Sequence, residues 1–432
     1  MENLEEKPKL KFDKYSLAFL QTAQQTKLNI FLTAVAGAWK TTIVNFFVQN
    51  TNKKVALLWT TWISALNIWW KTIHSYFSIS PNPKKPKALK KIQIDLIKEI
   101  DVFIVDEVSM MRADLFDILN AKMQRICWND ELFWWKQFIF VWDLLQLPPV
   151  PEKKDSEWEK IYNENYNWLF FFEAKSFDIN KFKIIQLQKV YRQDDPILIK
   201  ALNLIRDWVK SQPVIDYFNK RLVSESELNP NAIMLTATNR DADNYNNKKL
   251  LELEWDIVNS NWICKWVYQD FELEDLPNDK FLKLKVWARV MFIVNENIWQ
   301  TYMNWTLWTI TWFFGNWIEV DIDWLWKQLI PKYVWTETDW EDEFWEPLIV
   351  GQYFQFPFKL AFAISIHKSQ WKSFENCIIN LGWGAFAEWM TYVALSRCKS
   401  YEWLQLVKPS ALKDIKVSKK VLDFLNKYLL KI

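Results

Sequence analysis

Glycine is almost missing from this chain, with 5 among 432 residues, while tryptophan numbers 30. Average usage near 7% would supply about 30 glycines, so the deficit needs a cause. Cysteine is also sparse, and Cys127, Cys264, Cys377 and Cys398 are too scattered for a metal-spaced or disulfide-like set. Two histidines, His74 and His367, give little basis for a histidine metal site or nucleophile relay. No apolar run approaches the roughly 18 residues of a membrane span. The start, Met-Glu-Asn-Leu-Glu-Glu-Lys, has no signal-peptide pattern. These absences predict a soluble protein of a reducing compartment, the cytoplasm, with no membrane partner. Excess charge is missing too: 54 Lys and Arg stand against 52 Asp and Glu, a net +2. That argues against wholesale electrostatic binding of nucleic acid and permits a local basic groove. What is present is a chain half hydrophobic and one quarter charged, which excludes disorder and leaves room for two or three domains.

The tryptophans fall where glycine is expected. Glycine and tryptophan together come close to the usual glycine share alone. Trp305, Trp308 and Trp312 sit in Asn304-Trp-Thr-Leu-Trp-Thr-Ile-Thr-Trp312, where Asn-Gly would be a turn signal because the turn needs positive φ. The doublets Trp69-Trp70 and Trp134-Trp135 lie in polar, turn-like surroundings. Packing does not place that much indole in connecting segments. Most of these tryptophans are therefore read as glycine codons (UGA) translated by the wrong table; the written residue names are kept.

Short apolar runs at Leu28–Thr33, Val55–Leu58, Val102–Val105 and Phe138–Val141 alternate with helical stretches such as Thr41–Val48. That alternation predicts a parallel α/β sheet. A second α/β set is expected from Ile233–Ala237 and Leu360–Ile366, with a β-patterned insert at about 283–350 between them. The first domain is placed at 1–175, with a basic, proline-bearing excursion near 78–98, and the second at 176–432. The acidic run 337–346 is read as a solvated loop, and 411–431 as a packing helix.

Two motifs carry chemistry. Ala34-Val-Ala-Gly-Ala-Trp-Lys-Thr41 fits a phosphate loop at its Lys and Thr, between a strand and a helix. The backbone N–H groups of Ala36, Gly37, Ala38 and Trp39 would cradle phosphates at the start of a helix, followed by Lys40, Thr41 and Thr42. Lys40 would reach the β and γ phosphates and Thr41 would ligate Mg²⁺. An indole at Trp39 would occlude the loop; a glycine would not. Asp106 and Glu107 end an apolar strand, where a metal-holding Asp and a water-activating Glu suit phosphoanhydride hydrolysis.

Beyond these, Asp106–Met110 and Val141-Trp-Asp-Leu-Leu-Gln-Leu-Pro-Pro-Val150 resemble helicase motifs II and III of the PIF family, close to RecD-type enzymes of superfamily 1B. Thr60–Ser75 and Val190-Tyr-Arg-Gln193 share that resemblance, Ala363–Ser373 looks like motif V, and Thr391–Arg397 looks like motif VI. The resemblance runs in order from about Lys27 to Leu406. The family carries glycine where this chain has Trp39, Trp62, Trp142, Trp305, Trp308, Trp371 and Trp389.

The resemblance implies an α/β fold of two RecA-like P-loop NTPase domains with a small β-barrel insert in the second. It implies ATP and Mg²⁺ as cofactors, with Asp106 on the metal and Glu107 orienting the attacking water. Gln146 would sense the γ-phosphate, and Arg192 and Arg397 would act as arginine fingers, since planar cationic donors meet charge on the transferring group. Thr61, Asn67, Thr72, His74, His367, Lys368, Ser369 and Gln370 would lie near single-stranded DNA. The adenine-contacting glutamine is left open among Gln21, Gln24 and Gln25, and Lys84, Lys85, Lys87, Lys90 and Lys91 are candidates for a DNA-facing wedge. The expected protein is a monomeric 5′-to-3′ DNA helicase of replication, repair or recombination, acting on single strands and duplex junctions. Rival readings are a RecD-like subunit of a nuclease complex, an ATPase acting on protein, and, if the indole at 39 is authentic, an ATPase-dead DNA-binding protein.

Overall fold

The computed structural model describes residues 12–34, 40–59, 70–79, 89, 91–127, 131–142, 145–149, 157–187, 195–266, 276, 278–294, 302, 306–322, 326–339, 348–370 and 372–428. These fall into two compact units, one of residues 1–222, 370–375 and 383–432, the other of 223–369 and 376–382.

In chain order the first unit opens with α1 (Lys14–Gln25), β1 (Asn29–Ala34), α2 (Lys40–Asn50), β2 (Val55–Trp59), β3 (Trp70–Thr72), α3 (Ile73–Tyr76) and α4 (Lys91–Glu99). It continues with β4 (Val102–Asp106), α5 (Ala113–Cys127), β5 (Gln137–Trp142), α6 (Glu157–Asn165), β6 (Phe182–Leu187), α7 (Pro196–Arg206) and α8 (Gln212–Asn219). The six strands make one parallel sheet in the order β3-β2-β4-β5-β1-β6.

Every residue of β4 and β5 is buried, as expected of parallel strands covered on both faces. The period-two alternation sorts their side chains by shape. One face is aromatic: Phe31, Phe103, Phe138 and Phe140, with Phe103 stacked on Phe138 at 4.9 Å and Phe133 on Phe138 at 4.2 Å. The other is aliphatic: Ile30, Leu32, Ile104, Ile139 and Val141 pack with Phe19 of α1 and Ile43, Val44 and Phe47 of α2. Each such side chain contributes about 1.5–3 kcal/mol on burial, which holds α1 and α2 to the sheet.

The second unit contains β7 (Ile233–Thr236), α9 (Asn239–Glu252), β8 (Val258–Asn261), β9 (Ile263–Trp266), β10 (Phe281–Leu284), β11 (Arg289–Phe292), β12 (Leu307–Phe314), β13 (Trp317–Ile322) and β14 (Trp326–Pro331). It continues with β15 (Tyr333–Asp339), β16 (Leu348–Gln355), β17 (Phe358–Leu360), β18 (Ala363–Ser365), α10 (Ile366–Ser369) and β19 (Cys377–Asn380). β18, β7 and β19 are parallel neighbours, the α/β part of this unit. The intervening strands are antiparallel: a five-stranded sheet β14-β13-β12-β11-β17, a three-stranded sheet β15-β16-β9 and the pair β10-β8. Val290, Phe292, Trp308, Ile310, Ile318, Val320 and Phe358 fill the core of this β part.

The chain then returns to the first unit for α11 (Met390–Leu395), β20 (Leu404–Leu406) and α12 (Lys419–Tyr428). The last helix begins later than the 411 expected, because Leu412–Asp414 form a 3-10 turn in which the Asp414 carboxylate accepts from the Ala411 N–H. Among the described residues no helix is long and apolar enough to cross a membrane.

Candidate nucleotide and strand site

Parallel α/β sheets bind ligands beyond the carboxyl ends of their strands, and that edge of the first unit gathers the candidate catalytic groups. Ala34 ends β1 and Lys40, Thr41 and Thr42 form the first turn of α2. The loop residues Ala36, Gly37, Ala38 and Trp39 lie outside the described residues. β1 and β4 flank β5, so their ends stand about 9–10 Å apart at the usual strand spacing.

Asp106 is the last residue of β4 and is buried. Burial pushes its carboxyl up to about 6, against the opposing pull of the Glu107 N–H and the Lys40 charge. The Glu107 N–H donates to Asp106 Oδ1 at 2.8 Å. Glu107 itself adopts φ 55, ψ 45, a left-handed conformation that costs a non-glycine residue on the order of 1–3 kcal/mol.

Gln146 and Gln370 are both buried, and Gln370 Nε2 donates to Gln146 Oε1 at 3.0 Å. Arg397 is buried as well. Its Nε donates to the Val393 carbonyl at 2.9 Å, its Nη1 to the carbonyls of Gln370 and Lys372, and its Nη2 to Ser396 Oγ. Arg192, the other expected arginine, lies outside the described residues.

Of the residues assigned to the strand, Thr61 and Asn67 lie outside the described residues, as do Lys84, Lys85, Lys87 and Lys90. Thr72 ends β3 and is buried; His74 follows in α3, partly buried, and burial with the nearby Arg112 charge lowers its pKa. In the second unit His367, Lys368 and Ser369 make up most of α10. Burial lowers the pKa of His367 and of Lys368, and Ser369 is fully buried with its hydroxyl donated to the Ile366 carbonyl at 2.8 Å. Among the glutamines of α1, Gln24 Oε1 accepts from Thr51 Oγ1 at 2.6 Å.

Three features had no signal in the sequence. Arg112 holds Asp114 through Nε at 3.0 Å and Nη2 at 2.7 Å, a spacing too common to read as a motif. A cavity of about 370 Å³ opens beside Pro148 and Pro149, lined also by Arg112, Tyr162, Trp168 and Glu388. The Gln146–Gln370 bond joins residues 224 apart.

The profile of the PIF1-like helicase family matches residues 14–210. The ATP-dependent DNA helicase Pif1 of Campylobacter jejuni is 26% identical over 93% of this chain and 95% of its own. The Bacteroides Pif1 structure with ADP-AlF3 and single-stranded DNA is 30% identical, with a TM-score of 0.80 over 97% of both chains. A further Pif1 structure, described as two coordinating helicases unwinding forked duplex DNA, has a TM-score of 0.80 at 29% identity over 98% of both chains. The chain belongs to the PIF1-like helicase family.

Proposed function

We propose that this protein is an ATP-dependent DNA helicase that moves along single-stranded DNA, 5′ to 3′, and opens duplexes in replication, repair or recombination. The observation that carries this reading is the likeness, over 97% of both chains, to a Pif1 bound to ADP-AlF3 and single-stranded DNA. Two RecA-like lobes divided near residue 175 are part of this reading, with the β part about 283–350 as an insert that helps hold DNA.

Lys40 and the N-terminus of α2 bind the phosphates, since a helix start offers unpaired N–H groups and a favourable dipole. Mg²⁺ fits the donors present, because it is commonly held by one or two carboxylates plus phosphate oxygens and Asp106 is a carboxylate beside the Lys40 charge. Asp106 and Thr41 would hold it, and when bound it neutralises charge on the β and γ phosphates. Glu107 orients the attacking water, and Gln146 meets the γ-phosphate. Arg192 and Arg397 supply positive charge that stabilises the transferring group. Thr61, Asn67, Thr72, His74, His367, Lys368 and Ser369 face the strand, while Gln370, the last of the expected strand residues, is buried against Gln146. A single chain, carrying the whole ordered motif set, is the translocating unit, and the structure of two coordinating Pif1 helicases supports two such units meeting at a fork.

The same reading takes most tryptophans as glycines. Among the described residues, three of the six non-glycine residues with positive φ are Trp208, Trp287 and Trp389. Trp208 follows α7 with its N–H donated to the Ile205 carbonyl and that of Val209 to the Leu204 carbonyl, the helix-ending pattern that selects glycine at this position. Trp287 is the third residue of the turn closed by Ala288 N–H on the Lys285 carbonyl, where positive φ again favours glycine. Trp142 Nε1 is buried without a hydrogen-bond partner among the described residues.

The test is ATP turnover with and without single-stranded DNA, on the written chain and on a glycine-restored chain. DNA stimulation of the restored chain alone supports both helicase function and recoding. Its absence from both folded chains overturns the helicase reading, and turnover by the written chain overturns the account of Trp39.

A further inference from the structure

Gln370 enters a buried site with only half of its amide engaged. Its Nε2 donates to Gln146 Oε1 at 3.0 Å, while its own Oε1 is buried without a hydrogen-bond partner among the described residues. Its backbone is not free to relieve that shortfall. Arg397 Nη1 binds the carbonyls of Gln370 and Lys372, and Arg397 is itself tied to Val393 and Ser396. A buried acceptor left unmade is costly, so the arrangement is held by its surroundings rather than by the satisfaction of its own groups.

The bond has a direction, and the direction matters. A glutamine amide has one acceptor end and one donor end. By donating to Oε1, Gln370 turns the acceptor end of Gln146 toward itself and so the amino end the opposite way. A phosphate needs that donor; a flipped amide would present a carbonyl oxygen to it and repel it.

We propose that Gln370 is a positioning residue for Gln146: it sets the orientation of the Gln146 amide, and the bracket formed by Arg397 holds Gln370 in place to do so. Gln370 directly follows α10, which carries His367, Lys368 and Ser369. A strand that displaces α10 therefore pulls on the residue that orients the nucleotide-sensing amide, a covalent link from strand grip to hydrolysis. This inference rests on the helicase reading above, and its test separates the two.

The experiment measures kcat, KM for ATP and oligo-dT affinity without nucleotide, for the glycine-restored chain and for Gln370→Ala, Gln370→Glu, Gln146→Ala and the double alanine variant. Thermal melting confirms that each is folded. Each alanine variant is expected to lower DNA-stimulated kcat about ten-fold, and the double variant to lose about the same ten-fold rather than a hundred-fold, because the two residues act as one unit. Gln370→Glu is expected to lose more than Gln370→Ala. Its carboxylate accepts but cannot donate, so it draws the Gln146 amino end inward and turns the carbonyl outward. A merely structural role does not rank glutamate below alanine in kcat while leaving melting alike. Multiplicative losses in the double variant overturn the proposal, as does a glutamate variant as active as the alanine one. A Gln370→Ala effect confined to oligo-dT affinity makes Gln370 a strand contact and also overturns it. A restored parent that is folded but unstimulated by DNA overturns the helicase reading, and this inference with it.

Discussion

Replacing Trp208 by glycine should raise stability relative to the same change at Trp403, and the backbone sets the size of the gap. Both indoles are about half exposed, at 45% and 55%, so removing either loses a similar amount of packing. Both replacements carry the same extra flexibility of glycine in the unfolded chain. They differ in φ: Trp208 stands at 61°, whereas Trp403 is not among the positive-φ residues. A left-handed conformation costs an L-residue about 1–2 kcal/mol, a penalty that glycine escapes. At about 2–4 °C per kcal/mol, Trp208→Gly should melt about 2–8 °C above Trp403→Gly. Trp208→Ala removes the indole but keeps the β-carbon, and so should melt below Trp208→Gly. Differential scanning calorimetry of the three variants decides it. Equal melting of Trp208→Gly and Trp403→Gly would refute the reasoning, since the relief of the left-handed backbone at Trp208 should outweigh the loss of the Lys210 ammonium 5.7 Å from its ring.

Other substitutions test other parts of the structure. Arg112→Ala leaves the Asp114 carboxylate, 5% exposed, without its guanidinium, and should cost about 3–5 kcal/mol by urea unfolding, with Arg112→Ala/Asp114→Ala costing less; equal costs would contradict an ion pair held against burial. Gly384→Ala would place a β-carbon 2.6 Å from Asp414 Oδ1 at φ +120°, and should cost about 1–3 kcal/mol in the same assay, an unchanged midpoint being the contrary result. Burial holds the His367 imidazole below its ordinary 6.5. Below that pH the unfolded chain binds more protons than the folded one, so stability falls as pH drops. His367→Gln should therefore show a smaller loss of urea midpoint between about pH 7.5 and about pH 5 than the parent, and an equal loss would show that this histidine carries no such linkage.

How far the sequence foretells the structure depends on whether the signal is local. The runs Val102–Val105 and Phe138–Val141 became β4 and β5, because a strand buried on both faces is continuous apolar sequence. Lys40 opens α2 and Asp106 closes β4 for the same reason: strand, loop and helix are neighbours in the chain. The division of the sheet into an aromatic and an aliphatic face was also present in the alternation Phe-Ile-Phe-Val at 138–141, though only the strand order β4-β5-β1 makes it a layer. Long-range pairings left no such trace. Nothing in the spacing of Gln146 and Gln370 announces their amide contact, and a motif arginine such as Arg397 reads the same whether its guanidinium faces carbonyls or phosphate. Backbone sign was poorly legible: of the tryptophans read as turn residues, Trp308 and Trp312 lie within β12, while the positive φ of Trp208 and Trp287 had no local signal. The antiparallel strands from β8 to β17 were harder, since half-exposed edges with period-two patterns fit several registers and only the closed pairing selects one.

The most direct measurement is displacement of a strand from a 5′-tailed DNA fork by the glycine-restored chain with ATP and Mg²⁺, beside Lys40→Ala and Glu107→Gln. ATP-dependent displacement is expected from the restored chain, and none from either variant, with Glu107→Gln still binding both nucleotide and strand. A restored chain that is folded, binds ATP and single-stranded DNA, and yet displaces nothing would contradict it.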